Sequence, residues 1–226
     1  MLLCARLCSH EREFTQSRDW HLPFSGEHEF ELRSFFDTTH GDFRGQIEYE
    51  YGVTRHFAFE PGLEIEENED GKVEVEGAEI ELRFNFGEYR QGAWLPALNV
   101  EYEHPFEDEE ASKVVLKGVL SRYGERDDLT LNLNVGRELE DERETESELT
   151  AGWVRDLGLA TEDGRWLWRL GLEVVDDFEE HHLRAGPLVN LRANRHLHFL
   201  ASYLPAIDDR GEGNFDELAI IVEIEL

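Results

Sequence analysis

The chain predicts an all-β fold: a single antiparallel, up-and-down β-barrel of about twelve strands that crosses a membrane. Three observations predict it. From Glu27 onward, apolar and polar residues alternate in one segment after another, as they do in a strand that is greasy on one face and charged on the other. Turn-forming clusters separate these segments, leaving each about 9–11 residues, the span a tilted strand needs to cross a bilayer. No run approaches the roughly 18 consecutive apolar residues of a membrane helix, so helical spanning is excluded.

Residues 217–226, ELAIIVEIEL, show the pattern at its clearest. Leu218, Ile220, Val222, Ile224 and Leu226 fall on alternate positions and form one face, expected to meet lipid. The opposite face carries Glu217, Ala219, Ile221, Glu223 and Glu225. This strand resembles the closing strand of bacterial outer-membrane β-barrels, with Leu226 where those barrels usually place an aromatic residue.

Composition narrows the function. The 226 residues hold 52 Asp plus Glu against 22 Lys plus Arg, a formal net charge of −30, so nucleic acid and anionic membrane surfaces repel the chain on average. Its 19 Arg against 3 Lys also fit a salt-adapted or high-GC source. Cys4 and Cys8 lie close together with no further cysteines, which implies neither a disulfide framework nor a zinc site. The opening MLLCARLCSHEREF is a poor secretion signal, because Arg6 breaks the apolar run and no small-residue cleavage site follows. The expectation is that residues 1–26 form a tail or a processed segment and residues 27–226 the barrel. Within the tail, Trp20, Leu22, Pro23 and Phe24 are the residues suited to pack against a rim.

In chain order, Phe30, Leu32 and Phe36 alternate with Glu29, Glu31 and Arg33, and Ile47, Tyr49 and Tyr51 with Gln46, Glu48 and Glu50. A reversal at Gly52 to His56 leads to Phe57, Phe59, Leu63 and Ile65, opposite Glu60, Glu64 and Glu66, with a bend or bulge expected at Pro61–Gly62. Val73 and Val75 keep one parity until Gly77, after which Ala78, Ile80, Leu82, Phe84 and Phe86 take over, as a β-bulge requires. Leu98, Val100 and Tyr102 alternate with Asn99, Glu101 and Glu103. Residues 114–123 alternate poorly, with Val115 and Val119 opposed to Val114, Leu116 and Leu120. Leu129, Leu131, Leu133 and Val135 against Thr130, Asn132, Asn134 and Gly136 alternate without a fault. Leu149, Ala151 and Trp153 follow, then Trp166 to Val174 opposite Arg165, Arg169 and Glu173. Leu183 to Leu191 and Leu197 to Tyr203 lead to the closing strand.

The stretch YEYGVTRHFAFEPGLEIE, residues 49–66, followed by strands of similar length and an acidic hairpin, resembles outer-membrane transporters associated with phenol-degradation pathways. The resemblance runs through residues 27–226 in rhythm and rests on alternation plus a Gly-x-Thr turn. It implies a barrel with a transport role and assigns that role to no particular residue.

Charge is distributed unevenly. Five alternate hairpins, residues 66–72, 106–113, 138–148, 176–182 and 208–217, hold 24 acidic residues against Lys72, Lys113, Arg143 and Arg210. Up-and-down threading puts them all at one rim with Asp37 and Asp42. If barrel termini are periplasmic, that rim is extracellular, where carboxylate oxygens suit divalent cations bridging to lipopolysaccharide phosphates. The expected partners are outer-membrane lipid, lipopolysaccharide, such cations and the barrel-assembly machinery.

The candidate lumen residues also divide by sign. Glu48, Glu50, Glu64, Glu79, Glu81, Glu101 and Glu103 come from the early strands, and Arg155, Arg169, Arg184 and Arg192 from the later ones. An open lumen would then carry a field across it; a narrow barrel would instead fill with salt bridges. Trp94, Trp153, Trp166, Trp168, Tyr102 and Tyr203 fall near strand ends, where amphipathic rings settle at the headgroup level.

No catalytic residue, metal ligand or cofactor is implied. Ser202 and His198 share a strand face but lie about 13 Å apart by strand rise, beyond the hydrogen-bond reach a nucleophile and its base require. His181, His182, His196 and His198 are expected at the rims. Two alternatives accompany the reading of a passive channel or envelope-structural barrel. One is a soluble acidic β-protein with its apolar stripes packed inward. The other is an envelope lipase or deacylase.

Overall fold

Twelve antiparallel strands follow one another around a closed ring: β1 (His28–Asp37), β2 (Phe43–Thr54), β3 (Phe57–Glu67), β4 (Val73–Asn85), β5 (Trp94–Pro105), β6 (Lys113–Tyr123), β7 (Asp127–Glu138), β8 (Thr145–Asp156), β9 (Trp168–Asp177), β10 (His182–Arg192), β11 (Leu197–Leu204) and β12 (Glu217–Glu225). The computed structural model describes residues 12–68, 71–107, 111–139, 145–159, 167–179, 181–194, 196–207 and 215–226. Each strand pairs with its neighbours in sequence. The ring closes where β12 lies along β1, from Glu29 opposite Glu225 to Asp37 opposite Glu217. Closure leaves no sheet edge with unpaired backbone groups, the condition for a sheet to sit in hydrocarbon.

The polarity of the wall follows from the period-2 alternation. Leu116, Leu133 and Leu172 are 49%, 50% and 53% exposed, whereas Glu48, Glu173 and Glu223 are 2%, 0% and 2% exposed. On the closing strand Ile220, Ile224 and Leu226 are exposed and Leu218 and Val222 half-buried on the outward face. Glu217, Ala219, Ile221 and Glu223 are buried behind it. This arrangement overturns the soluble alternative, in which the greasy stripes would meet inside and the carboxylates face water.

Register irregularities are few. β3 and β4 slip by one residue between Glu64 opposite Gly77 and Ile65 opposite Val75, leaving Glu76 as the extra residue of a bulge beside Gly77. Pairing of β2 with β3 keeps one register across Pro61, so the bend expected at Pro61–Gly62 is a missing donor without a slip. The shift in that pair lies at Gly52 to Thr54.

Twelve is even, so the start of β1 and the end of β12 share a rim; the Leu226 amide donates to His28 O (2.9 Å). The opposite rim collects the β1–β2, β3–β4, β5–β6, β7–β8, β9–β10 and β11–β12 connections, the acidic set. Residues 69–70, 108–110, 140–144, 180 and 208–214 of those hairpins lie outside the described residues, as does Trp166. Among the other aromatics, Trp94, Tyr102 and Tyr203 are exposed near strand ends, and Trp153 and Trp168 half-buried.

Candidate functional site: a charged lumen and its N-terminal plug

Residues 12–24 are not a tail. They enter the barrel at the rim shared by the termini, rise to a bend at Thr15–Gln16 about half-way up, and descend again to Phe24. The wall opens a place for them at two glycines. A Cβ on Gly152 would fall 2.2 Å from the Phe14 ring, and one on Gly52 would fall 2.1 Å from Phe24 O, so each position admits only hydrogen.

Three sets of contacts hold the segment. At the bend, Glu173 of β9 accepts the amides of Thr15 (3.1 Å), Gln16 (3.0 Å) and Ser17 (3.2 Å) and the Thr15 hydroxyl. A carboxylate is the acceptor that converging N–H groups require, and bonds to it are about twice as strong as neutral ones. On the descending arm, the Arg18 amide donates to Asn132 Oδ1 (2.6 Å), while Asn132 Nδ2 and the Thr130 hydroxyl donate to Arg18 O (both 2.9 Å). Trp20 then fills an apolar recess of Leu95, Ala97, Val119 and Tyr123. Its amide donates to Ser121 Oγ and Tyr123 Oη, and its indole N–H to Phe86 O (all 3.1 Å). The ascending arm is anchored by Phe14 against Val154 and Leu188.

Charge tightens the assembly. Arg18 reaches the carboxylate wall, with Nη2 at 2.5 Å from Glu60, 3.1 Å from Glu81 and 3.5 Å from Glu48. Arg12 pairs with Glu31 (2.9 Å), and Glu13 with Arg169 of the opposite wall.

The lumen candidates fall as follows. Glu48, Glu50, Glu79, Glu81, Glu101, Arg169, Arg184 and Arg192 are buried inside the barrel, and Glu64 and Glu103 half-buried on its inner face. Arg155 does not join them. It shares parity with Trp153, points outward at the terminus-side rim, and faces Asp127 at 3.5 Å, its side chain 55% exposed. The division by sign is real along the sequence but compensated in space. Arg33 pairs with Glu48 (2.7 Å), Arg83 with Glu50 (2.7 Å) and Lys117 with Glu101 (2.5 Å), all on the carboxylate wall; Arg184 meets Glu217 (3.0 Å) on the other. Arg33, Arg83 and Lys117, together with the plug's Arg12 and Arg18, were missing from the sequence-derived set.

Above the bend the lumen widens into a vestibule of about 290 Å³ that faces the acidic rim. Gln16 lies at its floor, donating to Glu217 Oε1 (2.5 Å). Seven carboxylates and four basic side chains line it, with Phe35 and Val115 as apolar patches. Below the bend, the pocket between Arg12 and Arg18 of the plug and Glu48, Glu60 and Arg83 of the wall measures about 10 Å³, room for a water molecule.

Ser202 and His198 keep separate partners: Ser202 Oγ lies 2.6 Å from Thr15 Oγ1, and His198 Nε2 bonds Asn190 Oδ1. Of the four histidines expected at rims, His182 and His198 are buried just inside theirs, at the first position of β10 and the second of β11.

Comparison with known proteins bears on the fold. An outer membrane channel from Pseudomonas putida F1 superposes with a TM-score of 0.64 over 93% of this chain and 99% of that one, at 9% identity. The fold is of the outer-membrane type. A second chain, solved in work on the in-meso crystallization of membrane proteins, gives 0.55 at 8% identity, covering 88% and 83%. The outer membrane protein Omp33 of Acinetobacter baumannii gives 0.49 at 7% identity, covering 90% and 99%. No family model and no curated protein matches the sequence.

Proposed function

We propose that this protein is a bacterial outer-membrane barrel with a passive, non-catalytic channel role, whose lumen is held shut by its own residues 12–24. The observation that carries the reading is the pairing of an outward apolar belt with an inward polar wall that widens into a vestibule of about 290 Å³ above the plug. A barrel serving only as an envelope rivet needs no vestibule. The channel solved from Pseudomonas putida and the rhythm shared with phenol-pathway transporters support the same class of function.

On this reading the acidic rim is extracellular. Its carboxylates take divalent cations that bridge to lipopolysaccharide, the outward belt meets outer-membrane lipid, and β12 is the strand offered to the barrel-assembly machinery. Because the vestibule carries more carboxylates than basic groups, an opened pore prefers cations.

The test is conductance in a planar bilayer. Refolded full-length protein should be silent or nearly so, and a variant lacking residues 12–24 should conduct with a reversal potential on the cation side. A silent deletion variant that still shows the heat-modifiable gel mobility of a folded barrel would sink the channel reading.

A further inference from the structure

The vestibule sets an anion-binding group beside carboxylates that lack a basic partner. Arg44, at the start of β2, keeps 57% of its side chain exposed. One Nη donates to Glu217 at 3.1 Å, and the guanidinium lies 5.4 Å from the ring centre of the buried Phe35. Directly opposite Arg44 on β3 stands Glu66, and two residues before it Glu64 faces Gln46. Arg44 turns away from Glu66 toward Glu217, and among the described residues neither Glu64 nor Glu66 forms an ion pair.

The other vestibule carboxylates next to lysines are engaged, since Lys117 takes Glu101 and Lys113 takes Glu146. A small solute entering from the acidic rim therefore meets, on the adjacent strands β2 and β3, guanidinium donors on a largely exposed side chain and two carboxylates outside any ion pair.

We propose that the vestibule is a binding site for small zwitterions that carry one ammonium and one carboxylate, such as amino acids. The solute's carboxylate accepts from the remaining N–H groups of Arg44, and its ammonium donates to Glu64 and Glu66. A simple cation finds the carboxylates but leaves Arg44 unused and feels its repulsion. A simple anion finds Arg44 but faces a cavity with more carboxylates than basic groups. The inference deepens the channel reading by naming a solute class, and it rests on binding, which does not require the plug to move.

The experiment is titration calorimetry on the refolded full chain in detergent. Glycine and 4-aminobutyrate serve as zwitterions of different length, with butylammonium and butyrate as singly charged controls. One or both zwitterions should bind at least about tenfold more tightly than either control. Arg44→Gln and Glu66→Gln should each weaken that binding by about tenfold, the scale of one charge-assisted contact, without altering heat-modifiable mobility. Arg44→Lys, which keeps the charge but loses the planar fork, should fall between wild type and Arg44→Gln. Butylammonium binding as tightly as the zwitterions with Arg44→Gln silent, or no saturable zwitterion binding at all, overturns the proposal. Either result leaves the conductance test of the plug standing independently.

Discussion

Arg18 is the side chain whose removal tests the plug most directly. It brings a guanidinium to three buried carboxylates, but the three do not depend on it equally. Glu48 keeps Arg33 at 2.7 Å and Glu81 keeps Lys117 at 3.2 Å, whereas the other basic contact of Glu60 is Arg83 at 3.5 Å. In Arg18→Ala with the plug in place, the deficit therefore falls on Glu60. Breaking a buried pair by deleting one partner costs about 3–5 kcal/mol, and the surviving partners argue for about 3. With the plug withdrawn, water fills the lumen and Glu60 is hydrated, so that cost acts on the docked state alone. At about 1.4 kcal/mol per tenfold, the docking equilibrium shifts toward the open barrel by more than a hundredfold, or about two decades.

The assay is single-channel recording, comparing open probability in wild type, Arg18→Ala, the deletion of residues 12–24 and the double variant Arg18→Ala with Glu60→Ala. Arg18→Ala should approach the deletion variant. The double variant, with no charge left to strand, should return toward wild type. Arg18→Ala as silent as wild type beside a conducting deletion variant would refute the electrostatic latch.

Three further outcomes are expected. Gly152→Ala puts a methyl into the Phe14 ring and costs the docked plug about 1–3 kcal/mol of overpacking, so open probability should rise; an unchanged record in Gly152→Ala counts against this seating of Phe14. On the outward belt, Leu133→Arg should destabilise folding into vesicles by about 2–4 kcal/mol if it lies near the bilayer midplane, and Leu226→Arg at the end of the closing strand by about 0–1, measured as the shift in denaturant midpoint; equal effects would contradict the depth assignment. In the β1–β2 hairpin, the Asp37 carboxylate bonded to His40 Nδ1 (2.7 Å) holds the imidazolium and raises its pKa above the ordinary value. Its contribution is present below the unfolded pKa and fades as pH rises through the folded one, so an NMR titration should show a raised pKa that returns to the ordinary range in Asp37→Asn.

Much of the wall was legible because a strand's geometry leaves little freedom. A period of two assigns every residue to one of two faces, and long apolar stripes without a helical run leave a membrane barrel as the economical way to satisfy the backbone. The error at Arg155 came from grouping residues by charge when parity already placed it with Trp153. The plug left weaker marks. Part of the poor alternation over residues 114–123 is the imprint of Trp20, since Val119 turns inward to line its recess with Leu95 and Ala97 of β5, while Val115 turns inward to the vestibule. The neutral inward groups Thr130 and Asn132 on the most regular strand, and the glycine at 152, are sockets for Arg18 and Phe14.

The sequence by itself determined which residues share a face of each strand, how the strands follow one another and which rim is acidic, since these depend on periodicity and chain order alone; that the apolar face points outward was decided by the tertiary structure. Only the tertiary structure decided that residues 12–24 lie inside the barrel. Those contacts join residues far apart in the chain, some by more than a hundred positions, as Arg18 with Asn132 and Thr15 with Glu173, and no local pattern encodes a partner at that distance. The same holds for the ion pairs of the lumen: along the chain the charges divide into acidic and basic stretches, and pairs such as Arg18 with Glu60 and Glu13 with Arg169 form only when plug and wall share one enclosed space.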